Sequence, residues 1–369
     1  MKPNLKTVLL CLLGALLGAR GICHAATADS AGSTGTLPAE IAAPNTPVVA
    51  VYKVNSFCEG PAWDGKGRLV FSSSNAGKIY SYEPATKTQA EFITLQGANG
   101  QEWANDGRLY SCGRGGIFSY NAQGGDKQTF LTATPDPNDL TIDSKGNVYF
   151  STYNPTFSFK PANGTAKTVN PKAYKSSNGI EFLEESGILY VNDYAGGFVY
   201  KYNATSEGVL SNETTFATVS SPDGITVDEL GNVYVSSGLA GTIVVYNSAG
   251  LKQGEITVSS APGGDSHPGI GYNTSNCVFG GPDRKTLYIT GDGGLYAVQL
   301  KVAGRLRPGG ASAIFHRSPR ALGGKGSQAG WNAGFGPQAD AYSAVTFGFL
   351  DSHARPQRAL PSGRLLPAR

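Results

Sequence analysis

From Leu69 to Ile289 the chain repeats one pattern, a short apolar run followed by a turn of small residues. The strongest runs are Leu69-Val70-Phe71, Leu109-Tyr110, Val148-Tyr149-Phe150, Leu189-Tyr190-Val191, Val233-Tyr234-Val235 and Leu287-Tyr288-Ile289. A Gly or Asp-Gly turn separates each from a shorter apolar run before it, such as Leu140-Thr141-Ile142 or Ile225-Thr226-Val227. A third run follows, as in Ile79-Tyr80-Ser81-Tyr82 or Ile243-Val244-Val245-Tyr246, and a more polar fourth, such as Gln89 to Ile93, closes most units. Short runs of β-branched and aromatic residues bounded by turns predict strands, and the spacing of three to four residues that marks a helix is missing.

One polar residue stands at the head of each unit. These are Glu59, Asn99, Asn138, Asn178, Asp223 and Asn276, at intervals of 40, 39, 40, 45 and 53 residues. Four strands per unit, repeated six times, predict an all-β chain folded as a six-bladed β-propeller. The β-prone run Val48 to Val54 precedes the first unit and is expected to close the ring as the outer strand of the last blade. The longest interval holds Ala261 to Thr274, with His267, as a loop over one face.

Composition agrees, with 50 Gly and 21 Pro in 369 residues. The net charge of +3 conceals three regions. Residues 1–26 carry three basic and no acidic groups, residues 27–304 carry 18 and 25, and residues 305–369 carry nine and two. The mildly acidic repeat region excludes a nucleic-acid surface there. Lys2 and Lys6 before the apolar run Val8 to Leu17 predict a signal peptide over 1–25, hence a secreted or periplasmic protein with no membrane anchor after cleavage. Residues 26–46 read as a disordered linker, 47–304 as the propeller domain. Residues 305–369 read as a disordered basic tail, either a partner-binding extension or the product of an altered reading frame. Cys58, Cys112 and Cys277 remain after signal removal, and Cys58 and Cys277 flank ring positions that closure brings together, so a disulfide between them is one expectation and free thiols the other.

In a propeller the first strand of each blade lines the central channel, so the six unit-heading residues converge. Two carboxylates and four carboxamides with no basic partner would be costly to bury. A divalent cation removes that cost, and an all-oxygen set suits Ca2+ first, with Mg2+, Mn2+ or Zn2+ as alternatives. His267 is the one histidine between residues 27 and 304, which excludes a histidine-rich zinc site.

Glu59-Gly60-Pro61-Ala62-Trp63, Pro137-Asn138-Asp139, Ser177-Asn178-Gly179, Pro222-Asp223-Gly224 and Val278-Phe279-Gly280-Gly281-Pro282-Asp283 together resemble the family of senescence marker protein, gluconolactonase and luciferin-regenerating enzyme. The resemblance spans about residues 48–304. It implies a channel-bound metal held by Glu59, Asn178 and Asp223, and hydrolysis of sugar lactones. Asn138 carries over as a further ligand or substrate contact. Some members place Arg two residues before that Asn, where this chain has Asp136. The Asn99 unit is similar to the gluconolactonase branch.

The expected reaction is metal polarisation of the lactone carbonyl and water attack, with Asp223 as the base and Asn99, Asn138 and Asn276 holding the small-molecule lactone. His267 is a secondary candidate for the base. Hydrolysis of aryl esters or organophosphates, and a non-catalytic ligand-binding propeller with a structural metal, are the alternatives. Nothing in the sequence predicts the oligomeric state.

Overall fold

The computed structural model describes residues 30–170, 172–258 and 274–308, all within one compact unit, Met1–His316. Every regular element of appreciable length among them is a strand. The expected signal peptide, the loop carrying His267 and the tail beyond residue 308 lie outside the described residues.

Four sheets have four strands each and follow chain order. Strands β1 (Ser30–Ser33) and β2 (Pro47–Phe57) come before them. The first sheet is β3 (Glu59–Trp63), β4 (Leu69–Ser73), β5 (Lys78–Glu83) and β6 (Thr88–Thr94). The second is β7 (Gln101–Trp103), β8 (Leu109–Gly113), β9 (Gly116–Tyr120) and β10 (Gln128–Thr132). The third is β11 (Leu140–Ile142), β12 (Val148–Ser151), β13 (Phe157–Lys160) and β14 (Lys167–Thr168). The fourth is β15 (Ser177–Leu183), β16 (Ile188–Asp193), β17 (Phe198–Ala204) and β18 (Leu210–Thr218). All neighbouring strands are antiparallel, as short turns between successive strands require.

The remaining strands are β19 (Pro222–Val227), β20 (Val233–Ser237), β21 (Thr242–Tyr246), β22 (Lys252–Val258), β23 (Asn276–Gly280) and β24 (Thr286–Gln299). With β1 and β2 they form one eight-stranded sheet, in the order β19-β20-β21-β22-β1-β2-β24-β23. β24 doubles back on itself: Gly293 has a left-handed φ of 83°, and the Leu300 N–H donates to the Lys285 carbonyl at 2.8 Å. Its first arm pairs with β23 (Asn276 opposite Thr290) and its second with β2 (Val49 opposite Ala297). β2 therefore ties the N-terminal side of the domain to its C-terminal end, at the run Val48 to Val54.

The innermost strands β3, β7, β11, β15, β19 and β23 touch in succession, and β23 returns to β3. The apolar core lies between neighbouring sheets. Val70 and Ile79 of the first sheet, for example, meet Trp103, Leu109 and Tyr120 of the second. Full burial of such a side chain contributes about 1.5–3 kcal/mol, and the pattern recurs around the ring.

Two expectations are corrected. Residues 30–46 are not a disordered linker. β1 pairs on one edge with β2 and on the other with β22, and Ala31, Leu37, Ile41 and Ala42 are buried in the core cluster beneath it. The segment is poor in apolar residues, but four of them reach the core, and strand pairing uses backbone groups that composition does not register. The domain also does not stop at Gly304, because Arg305 and Arg307 are built into it. Cys58, Cys112 and Cys277 are all buried free thiols, so the Cys58–Cys277 disulfide does not form.

Candidate functional site

A bulge positions the head of each inner strand. Glu59 lies opposite Ser72 and Ala62 opposite Val70, with a register shift between them, and β15 and β19 repeat the shift at Ser177/Ile180 and Pro222/Ile225. The bulge breaks the alternation of a regular strand, so residues i and i+3 come to face the channel together.

The glycine after each head residue has a packing reason. A Cβ on Gly60 would lie 2.2 Å from the Asn99 carbonyl oxygen, on Gly100 2.1 Å from Asp139 Oδ1, and on Gly224 2.1 Å from Asn276 Cγ. Adjacent inner strands approach too closely here for any side chain.

The same contacts correct one register. The Gly100 N–H donates to the Asn138 carbonyl at 2.8 Å, and the Gly224 N–H to the Ser275 carbonyl at 2.7 Å. Ser275, not Asn276, is therefore the sixth residue in phase, and Asn276 is the counterpart of Asp139. In these two units the glycine position carries a side chain, which lies over the glycine of the preceding strand. Asn276 still reaches the ring, where its carboxamide hydrogen-bonds Glu59.

The residues brought together are thus Glu59, Asp139, Asn178, Asp223 and Asn276, all buried. Asp139, of the Pro137-Asn138-Asp139 stretch, is a third carboxylate in this group. Its signal was present, an acid standing where four other units have Gly. Asp139 Oδ1 accepts the Leu140 N–H at 2.9 Å, and Glu59 Oε2 accepts the Gly60 N–H at 3.0 Å. Asn178 hydrogen-bonds Asp223. Asn99 and Asn138 are only half-buried, so their side chains lie nearer to solvent than the carboxylates do.

Among the described residues no ion pair reaches Glu59, Asp139 or Asp223. Burial pushes the Glu59 carboxyl from its ordinary 4.5 up to about 8, and the Asp139 charge adds to this against the Gly60 N–H and Asn276. Burial likewise pushes Asp139 up to about 7, opposed first by the Leu140 and Ile180 N–H groups. Asp223 is held well above the ordinary carboxylate range by burial, then by Glu59 and Asp139. Three carboxyls that disfavour their own charge are a receptor for positive charge.

No group of three or more His, Cys, Asp and Glu among the described residues is close enough to hold a metal unaided. A donor set for a cation must therefore mix carboxylates with carboxamides, as Glu59, Asn178 and Asp223 do. Asn192 fits beside them, its amide nitrogen donating to the Asp223 carbonyl while its Oδ1 is buried with no hydrogen-bond partner. The oxygens present match the preference of a hard divalent cation.

Three residues along each inner strand lies a second layer that sequence reasoning missed. It contains Glu102, Thr141, Glu181 and Thr226, and Arg307 reaches it from beyond β24. The spacing from Asn99 and Asn178 was legible, but without the bulge a three-residue step puts a side chain on the opposite face of a strand.

Residues 57–292 match the sequence profile of the SMP-30/Gluconolactonase/LRE-like region. The pentonolactonase XacC of Haloferax volcanii is 26% identical over 251 residues, covering 64% of this chain and 81% of its own. The gluconolactonase XC5397 from Xanthomonas campestris superposes with a TM-score of 0.63 at 22% identity, covering 74% of this chain and 96% of its own. A calcium-binding regucalcin from Agrobacterium tumefaciens gives a TM-score of 0.61 at 14% identity, over 70% and 95%. The profile starts just before Glu59 and ends at Asp292, so it takes in every inner strand and the whole carboxylate cluster, and the chain belongs to the SMP-30/Gluconolactonase/LRE-like family.

Proposed function

We propose that this chain is an exported, divalent-cation-dependent lactone hydrolase built on a six-bladed propeller. The closed succession of six inner strands supports six blades, with the two halves of the eight-stranded sheet as two of them. The observation that carries the functional reading is the cluster Glu59, Asp139 and Asp223, buried together with no ion pair to any of the three among the described residues. Relatives named pentonolactonase and gluconolactonase support a sugar lactone as the substrate class. The calcium-binding neighbour makes Ca2+ the first ion to test, before Mg2+, Mn2+ and Zn2+.

Glu59, Asn178 and Asp223 would hold the cation, with Asp139 supplying negative charge beside them. Bound there, a divalent cation supplies Lewis-acid polarisation of a carbonyl oxygen. Asn99 and Asn138, nearer the solvent, orient the hydroxyl groups of the ring ester. Asp223 takes the proton from the attacking water, a step that requires its carboxyl to be ionised, which the cation's charge favours and burial opposes. Export rests on residues 1–25, and intact-mass analysis of the protein from an exporting host should find a mature N-terminus near Ala26.

The test is a pH-stat assay on five- and six-membered sugar lactones and on aryl esters, with chelator and with added Ca2+. Lactone opening abolished by chelator and restored by Ca2+ is expected. Turnover confined to aryl esters, or none on any substrate, would remove the lactonase reading.

A further inference from the structure

The turn end of the channel carries chemistry unrelated to lactone opening. Glu102 of β7 and Glu181 of β15 point into it, and both are almost fully buried. Arg307 enters between them. One terminal nitrogen lies 2.9 Å from Glu102 Oε1, and the other lies 2.6 Å from Glu181 Oε2 and 3.2 Å from Thr226 Oγ1 of β19. Arg305 backs the same carboxylate, with Nε 2.7 Å from Glu181 Oε1 and Nη2 2.8 Å from the Phe182 carbonyl oxygen. Glu102 Oε2 is taken by the Ile142 N–H at 3.0 Å. All four carboxylate oxygens therefore have donors, and the two acids face two guanidinium groups.

We propose that the turn end of the channel is a guanidinium-binding site, filled by the chain's own Arg307. The receptor is built from three different inner strands, and its acceptors are spaced for a planar, forked donor rather than a point charge. Backbone contacts deliver the ligand. Gly304 bridges Asp228, and the Arg305 N–H donates to the Val227 carbonyl at 3.2 Å, so the segment is laid across the end of β19 before Arg307 turns inward. This segment follows the family-matched region, which ends at residue 292.

The site predicts chemical rescue. Arg307→Ala leaves the buried Glu102 without a cationic partner and Glu181 with Arg305 alone, a change expected to lower Tm by about 10 °C. Ethylguanidinium at low millimolar concentration should then raise the Tm of Arg307→Ala and leave that of the wild type unchanged. Adding Glu181→Gln to Arg307→Ala should abolish the rescue. Should Arg307→Ala fail to fold, the triple variant Glu102→Gln/Glu181→Gln/Arg307→Met decides. Folding of the triple variant, with no response to ethylguanidinium, supports the site, and its failure to fold overturns it. A wild-type Tm for Arg307→Ala, or a lowered Tm that ethylguanidinium does not raise, also overturns the proposal.

Discussion

Removing divalent cations should invert the ordinary pH dependence of stability for this protein. Glu59 binds its proton in the fold up to about pH 8 but in the unfolded chain only up to its ordinary 4.5. Between those values the folded state holds more protons than the unfolded state, so stability falls as pH rises. One retained proton changes the unfolding free energy by about 1.4 kcal/mol per pH unit. From pH 5 to pH 7 Glu59 alone therefore costs roughly 2–3 kcal/mol, or a Tm loss of roughly 5–10 °C for a domain of this size. Asp139, raised from 3.8 to about 7, acts in the same direction. A cation competes with those protons, so the Tm gain from Ca2+ should grow over the same range, and at a hundredfold excess over Kd the binding contributes about 3 kcal/mol. Differential scanning fluorimetry in chelator and in Ca2+, from pH 5 to pH 8, reads both effects. The Glu59→Gln variant serves as the control, since it should lose most of the slope. A wild-type Tm in chelator that is level or rises from pH 5 to pH 7 would refute the reasoning, as would a Tm indifferent to Ca2+.

Three further outcomes are expected. Asp223→Asn keeps an oxygen ligand but loses the base, so turnover at saturating Ca2+ should fall by a factor of about 10²–10⁴ while calorimetry still detects Ca2+ binding. Glu59→Gln should instead weaken Ca2+ affinity first and regain activity at high Ca2+, and a Ca2+ titration of the rate separates the two variants. Gly100→Ala places a Cβ 2.1 Å from Asp139 Oδ1, so it should lower both Tm and Ca2+ affinity, whereas Gly107→Ala, with open space around it but a φ of 78°, should cost only about 1 kcal/mol of stability and leave affinity unchanged. A chain ending at Gly304 should melt well below one ending at Pro308, because only the longer chain retains Arg305 and Arg307; equal melting temperatures would show that this segment does not hold the domain.

The sequence by itself determined the repeat. The apolar runs, their turns and the polar residue heading each unit belong to local strand chemistry, which a strand of four or five residues writes completely into its own side chains. Those same signals placed Glu59, Asn178 and Asp223 in one group and marked Val48 to Val54 as the strand that meets the C-terminal end. The tertiary structure decided what depends on neighbours distant in sequence. Residues 30–46 join the fold because β22 and β2 offer β1 backbone partners on both sides, a property of the eight-stranded sheet that no residue in the segment reveals. Asn276 shifts by one position because the close approach of Gly224 fixes the register of β23. Asp139 joins the carboxylates because Gly100 on the neighbouring strand leaves room for its side chain. Glu102, Glu181 and Arg307 meet only because bulges turn residues i and i+3 to the same side and the chain, after completing β24, crosses back under the channel. Register, burial and the pairing of charges are set by which strands become neighbours, and in a closed ring that is settled only when the ring is complete.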